Sequence, residues 1–122
     1  MTLIDSNIII YAAKPEYSHL RLYIAQNAPA VSAVSYVEVL GYPMLTDEER
    51  RHFETFFASA TILPISDTVL NQAVRLRQLR KMRLGDALTA GTALAYGLTL
   101  VTRNTKDFDW VEHLQLMNPF EL

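Results

Sequence analysis

No cysteine occurs among the 122 residues, which excludes disulfides, zinc–thiolate sites and a cysteine nucleophile. No excess of positive charge is present either. The formal net charge is −2, so no global field advertises a nucleic-acid partner, and any such contact must rest on a local patch. Long apolar runs are missing. The longest uncharged stretches, Leu22 to Val37 and Ala87 to Thr102, are equal in length and too short to span a bilayer, and the second is rich in Gly, Ala and Thr. Met1 is followed by Thr2, Leu3, Ile4 and Asp5, without the basic and apolar regions of a signal peptide. The expected protein is soluble and cytoplasmic, with no membrane partner. His19, His52 and His113 lack metal-motif spacing. Repeats, linkers and low-complexity tracts are absent too, so residues 1–122 read as one domain. A domain of this size buries roughly two-thirds of the surface its unfolded chain exposes, enough to fold without staples.

What is present alternates between two kinds of segment. Thr2-Leu3-Ile4, Ala30-Val31-Ser32, Thr61 to Ile65, Leu98 to Thr102 and Leu114 to Met117 read as short strands. Between them, Tyr17 to Asn27 carries Leu20, Tyr23 and Ile24 at helical spacing, and Ile8 to Tyr11 fits strand or helix. Thr46-Asp47-Glu48-Glu49 is a capping box, heading a helix that turns Phe53, Phe56 and Phe57 inward. Ser66 caps a helix reaching Leu79. Leu84-Gly85-Asp86 breaks and restarts it, Ala87 to Tyr96 continues in small residues, and Gly97 stops it. Strands alternating with helices predict an α/β fold with a mainly parallel sheet.

In such sheets ligands bind beyond the carboxyl ends of the strands. Four acids belong to that edge: Asp5 after the first strand, Glu38 after the second, Asp86 at a helix start and Asp107 past the Leu98–Thr102 strand. Each has a plain structural reading. Asp5 suits an Asx-turn, Ser35 and Glu38 a capping box, Asp86 a helix N-terminus, and Asp107 a polar loop. Together they pose an electrostatic problem, because two unit charges about 4 Å apart repel by about 4 kcal/mol at an effective dielectric near 20. A hard divalent cation reverses that sign. Mg²⁺ takes one or two carboxylates directly and keeps several waters, and a water so activated can attack a phosphodiester.

At these residues the chain resembles the PIN-domain nucleases, specifically the VapC-like toxins of toxin–antitoxin pairs. The likeness covers nearly the whole chain. Leu3-Ile4-Asp5-Ser6-Asn7 is similar to the family's opening, and Ser32 to Glu38 to its S-x5-E segment. Gly85-Asp86-Ala87-Leu88-Thr89-Ala90 resembles its D-A helix, with Thr89 and Gly91 departing from the usual Ile and Ala. Leu100-Val101-Thr102-Arg103-Asn104-Thr105-Lys106-Asp107-Phe108 is similar to its L-V-T-x-N-x-x-D-F segment. The resemblance implies a three-layer PIN-like fold and a Mg²⁺- or Mn²⁺-dependent ribonuclease, inhibited by a cognate antitoxin protein and often homodimeric. It implies an acidic quartet of Asp5, Glu38, Asp86 and Asp107, with Asp5 and Asp86 nearest the metal. Ser6, Thr102 and Asn104 would support the carboxylates.

Arg75, Arg77, Arg80, Lys81 and Arg83 form the one concentrated basic stretch. Arg77, Lys81 and Arg83 are candidates for contacting the RNA backbone, and a solvated helix face is the alternative. Tyr17, Tyr23, Tyr36, Tyr42 and Trp110 could stack on bases, or serve the core or a dimer. A haloacid-dehalogenase-like phosphatase would need a second Asp where Asn7 stands, and a receiver domain would need paired N-terminal acids. A solitary PIN nuclease acting on a housekeeping RNA or DNA, or a non-catalytic PIN-like binding module, stays open.

Overall fold

A computed structural model describes residues 1–121. Its centre is a five-stranded, wholly parallel sheet in the order β3-β2-β1-β4-β5. The strands are β1 (Thr2–Ile4), β2 (Ala30–Ser32), β3 (Thr61–Leu63), β4 (Thr99–Val101) and β5 (Leu116–Met117). The helices are α1 (Ser6–Ala12), α2 (Ser18–Asn27), α3 (Ala33–Leu40), α4 (Asp47–Ser59), α5 (Asp67–Leu79) and α6 (Leu84–Tyr96). Short 3-10 turns occupy Pro15–Tyr17, Thr105–Asp107 and Pro119–Glu121. The expected α/β class and parallel sheet are therefore what the chain adopts.

Alternation along the strands builds two cores. Leu3, Ala30 and Leu100 point to one face and pack with Leu76 of α5 and Ala90 and Ala93 of α6. Ile4, Val31 and Val101 point to the other face, among Ile8 and Ile9 of α1, Val39 of α3, and Phe53 and Phe57 of α4. Register keeps the two sets apart, since Leu3 pairs with Ala30 and Leu100 while Ile4 pairs with Val31 and Val101. Helices on both faces of one sheet make the three layers.

Several boundaries differ from the sequence expectation. Ile8 to Tyr11 is helical, because Asp5 caps α1 and accepts a bond from the Ile8 amide at 3.0 Å. The third and last two strands are shorter than expected. The Ser35–Glu38 capping box does not form. Ser32 caps α3 instead, accepting from the Val34 amide at 3.2 Å, and Ser35 is buried inside the helix. The helix after Arg83 starts at Leu84, so Asp86 lies inside its first turn. Phe56 is only half-buried beside the buried Phe53 and Phe57. The Thr46 box forms in full, and Gly97 ends α6 with φ 66°. No helix among the described residues is long and apolar enough to cross a membrane.

Candidate active site

The chain leaves β1 on one side of the sheet toward β2 and returns on the other side as β4. The carboxyl ends of β1 and β4 therefore flank a topological switch point, where α/β sheets open a crevice. Asp5 sits at that point. Its amide continues the ladder to the Val101 carbonyl at 3.2 Å, while its side chain caps α1. Thr102, the residue after β4, is fully buried; its hydroxyl accepts from the Asn104 amide at 3.1 Å, and its side chain favours the anionic form of Asp5. Asn104 thus enters the site through its backbone.

Glu38 arrives from α3. The Ser6 hydroxyl donates to Glu38 Oε1 at 2.6 Å and lies 2.9 Å from Ser35 Oγ, tying α1 to α3. Asp86 arrives from the first turn of α6. Gly85 makes the approach of α6 to Glu38 possible, since a methyl built there would lie 3.1 Å from Glu38 Cδ and closer still to its oxygen. Asp5, Glu38 and Asp86 line one cavity of about 110 Å³, with Ser6, Asn7, Arg83, Gly85 and Thr89 around them. Asp107 is not in that cavity. It closes the Thr105–Asp107 turn and lines a neighbouring cleft of about 400 Å³ with Asp86, Arg77, Lys81, Arg83 and Trp110. Asp86 belongs to both, so the four acids meet as a trio and a fourth joined through Asp86.

Burial raises the Asp5 carboxyl above its ordinary range, against Thr102 and the bond from Ile8, and the charges of Asp86 and Glu38 add to the rise. Asp86 is raised chiefly by burial too. Arg83 opposes that shift, and Asp107 and Glu38 add to it. The Asp107 loop is held on both sides. Trp110 Nε1 donates to the Asp107 carbonyl at 3.0 Å, and the Arg103 guanidinium lies 4.3 Å from the Phe120 ring centroid and 5.3 Å from that of Tyr11.

Among the described residues, no three His, Asp or Glu side chains form a ready-made metal cluster. The donors fit a different kind of site. They are all oxygens, and two of them are carboxylates that burial disfavours as anions. The cavity holds roughly three or four water volumes. That suits Mg²⁺, which uses one or two carboxylates and keeps its waters, better than an ion caged by protein alone.

Gly85 has no functional reading in the sequence, Ser35 reads there as a cap and Trp110 as one of several rings that could stack on bases. A glycine in the first turn of a helix, directly before an acid, was the available signal for Gly85. Asp107 and Trp110 stand three residues apart, but a loop gave no reason to join them.

The molecule is an α/β protein with an acidic crevice at the switch point of a parallel sheet. The chain belongs to the PIN domain family, whose model matches residues 2–114. Solved structures agree. A chain of a toxin–antitoxin complex from Klebsiella pneumoniae is 26% identical, with all of both chains covered and a TM-score of 0.80. A chain of DNA-bound VapBC from Salmonella typhimurium has a TM-score of 0.85 at 18% identity, covering 98% of this chain and 99% of that one. VapBC2 from Rickettsia felis, solved with a DNA fragment from its promoter, gives 0.79 at 23% identity, covering 96% and 97%. At those two lower identities the likeness is one of fold. No curated protein matches the chain significantly.

Proposed function

We propose that this protein is the toxin of a toxin–antitoxin pair, a cytoplasmic endoribonuclease dependent on Mg²⁺ or Mn²⁺. The observation that carries the reading is the cavity shared by Asp5, Glu38 and Asp86, three acids from distant segments. The antitoxin follows from the similarity to the Klebsiella pneumoniae complex. A homodimer is part of the same reading.

Hydrolysis adds water across a P–O bond. A bound divalent ion supplies the charge that acidifies water and offsets the anionic phosphate. Asp5 and Asp86 would hold that ion, and Glu38 and Asp107 would orient waters around it. Ser6 fixes Glu38 by donating to its carboxylate, and Thr102 beside Asp5 favours its anionic form. Arg77, Lys81 and Arg83 draw the RNA backbone to the crevice. The supporting role of Asn104 is limited to its amide.

The test is cleavage of a structured RNA by the full chain with Mg²⁺ or Mn²⁺, with chelator and Asp5→Asn as controls. Cleavage by the wild type alone, lost in chelator, is expected. Equal cleavage by both proteins would remove Asp5 from the mechanism. Co-expression with the product of the adjacent reading frame should abolish cleavage, and continued cleavage would favour a solitary nuclease.

A further inference from the structure

Beside the acidic cavity lies the cleft of about 400 Å³, within the range of small-ligand sites of about 300–1,000 Å³. Its wall combines three kinds of group. Arg77, Lys81 and Arg83 bring three cations, in a chain whose net charge is −2. Asp86 and Asp107 form the edge toward the acidic cavity, and Met82 and the exposed part of Trp110, a ring half-buried against the core, supply the apolar wall. The tryptophan is held before any ligand arrives. Its Nε1 donates to the Asp107 carbonyl at 3.0 Å, and the Arg80 guanidinium stacks with Cζ 5.0 Å from the ring centroid. Arg77 is placed too, its Nε donating to the Met82 carbonyl at 3.3 Å.

Cations for a phosphate, a fixed aromatic ring for a base and an acidic edge leading to the proposed site of hydrolysis suit one ligand class. We infer that this cleft is a single-nucleotide subsite, seating the ribonucleotide next to the scissile phosphate with its base against Trp110 and its phosphate among Arg77, Lys81 and Arg83. The inference rests on the nuclease reading for its place in the reaction, but not for its binding chemistry. Stacking on an aromatic ring tolerates every base. The subsite therefore positions RNA more than it selects sequence.

Trp110 is the only tryptophan in the chain, so its fluorescence reports on this one ring, which also lines an adjoining cavity with Arg75 and Leu79, and the Arg77 and Lys81 substitutions assign the response to the cleft. The experiment titrates the full-length protein, in chelator so that nothing is cut, with a mixed-sequence RNA pentamer carrying an end label. Saturable quenching of Trp110 should coincide with the rise in label anisotropy. Lys81→Gln should weaken both several-fold, and Arg77→Gln/Lys81→Gln more. Trp110→Ala should weaken the anisotropy response about tenfold or more, and Trp110→Phe should restore most of it, because phenylalanine stacks but cannot hold the Asp107 carbonyl. Anisotropy that saturates without quenching, no pentamer binding at all, or quenching untouched by the double substitution would each overturn the subsite. Quenching in a protein that never cuts RNA would keep the subsite and refute the nuclease. Cutting without quenching would do the reverse.

Discussion

Asp5 carries three duties at one position. It extends the sheet through its amide, caps α1 through its carboxylate, and offers that same carboxylate to the crevice. Substitutions separate them. Asparagine keeps an oxygen for the Ile8 amide, so Asp5→Asn should remain folded and lose RNA cleavage. Asp5→Ala loses the cap as well, and should melt lower than Asp5→Asn by the equivalent of about 1 kcal/mol. The pH dependence of stability adds a second readout. Burial lifts the Asp5 carboxyl above its ordinary 3.8, so the folded protein keeps that proton to higher pH than the unfolded chain does. Metal-free stability then falls as pH rises from 3.8 through the raised value, and Asp86 contributes with the same sign. Thermal melts in chelator should show this decline in the wild type and a shallower one in Asp5→Asn; equal slopes would mean that Asp5 is not destabilised by burial. The acids were visible in the sequence because a carboxylate at a strand end or helix start is unusual enough to count. Gly85 was not, since its role depends on Glu38 reaching it from another helix. Gly85→Ala should leave stability unchanged or raise it by up to about 1 kcal/mol, alanine being the better helix former. Cleavage should nevertheless fall roughly 10- to 100-fold as the Glu38 carboxylate is displaced, which kinetics and melting on one sample will show.

Among the helices, the one that presents Asp86 depends on close contact with its neighbour. A methyl on Gly91 of α6 would stand 3.0 Å from the Val69 carbonyl oxygen and 3.2 Å from the Ala73 nitrogen, both backbone atoms of α5. Gly91 therefore serves the packing of α5 on α6. Gly91→Ala gains about 1 kcal/mol of helix propensity, but overpacking a tight interface costs about 1–3 kcal/mol. The expected outcome is a net loss of about 1 kcal/mol, measured by denaturant melts; a more stable variant would mean that α5 shifts without strain. Helix starts with a local signature are legible in the sequence, as at Thr46 and Ser66, because the cap and its amide partner lie within one turn. The error at Ser35 has the same origin. Ser35 and Glu38 satisfy the local pattern, yet Ser32 already caps α3, and both residues turn to Ser6 of α1 instead. A contact between segments so distant in sequence leaves no periodic signal.

For the whole molecule, the order of strands is what gathers the acids. The alternation of strand and helix implied a parallel sheet, but not that β1 would lie between β2 and β4. That order comes from burial on both faces, where Leu3 and Ile4 need neighbours on either side. It opens the crevice at Asp5 and brings Glu38 and Asp86 to it, so the metal-free molecule keeps carboxylates whose anionic forms are disfavoured by burial and by one another. A divalent ion that binds only the folded state stabilises it by about 2.7 kcal/mol at one hundred times its dissociation constant. For a domain of this size that is a rise in melting temperature on the order of 10 °C. Mg²⁺ or Mn²⁺ titrated at neutral pH should produce such a rise, chelator should reverse it, and Asp86→Asn should blunt it. Protons and metal compete for the same oxygens, so the rise should shrink as pH is lowered toward the ordinary carboxylate range. A melting temperature indifferent to either metal through the millimolar range would count against an ion at this edge. A rise that persisted undiminished in both Asp5→Asn and Asp86→Asn would place the ion elsewhere on the surface.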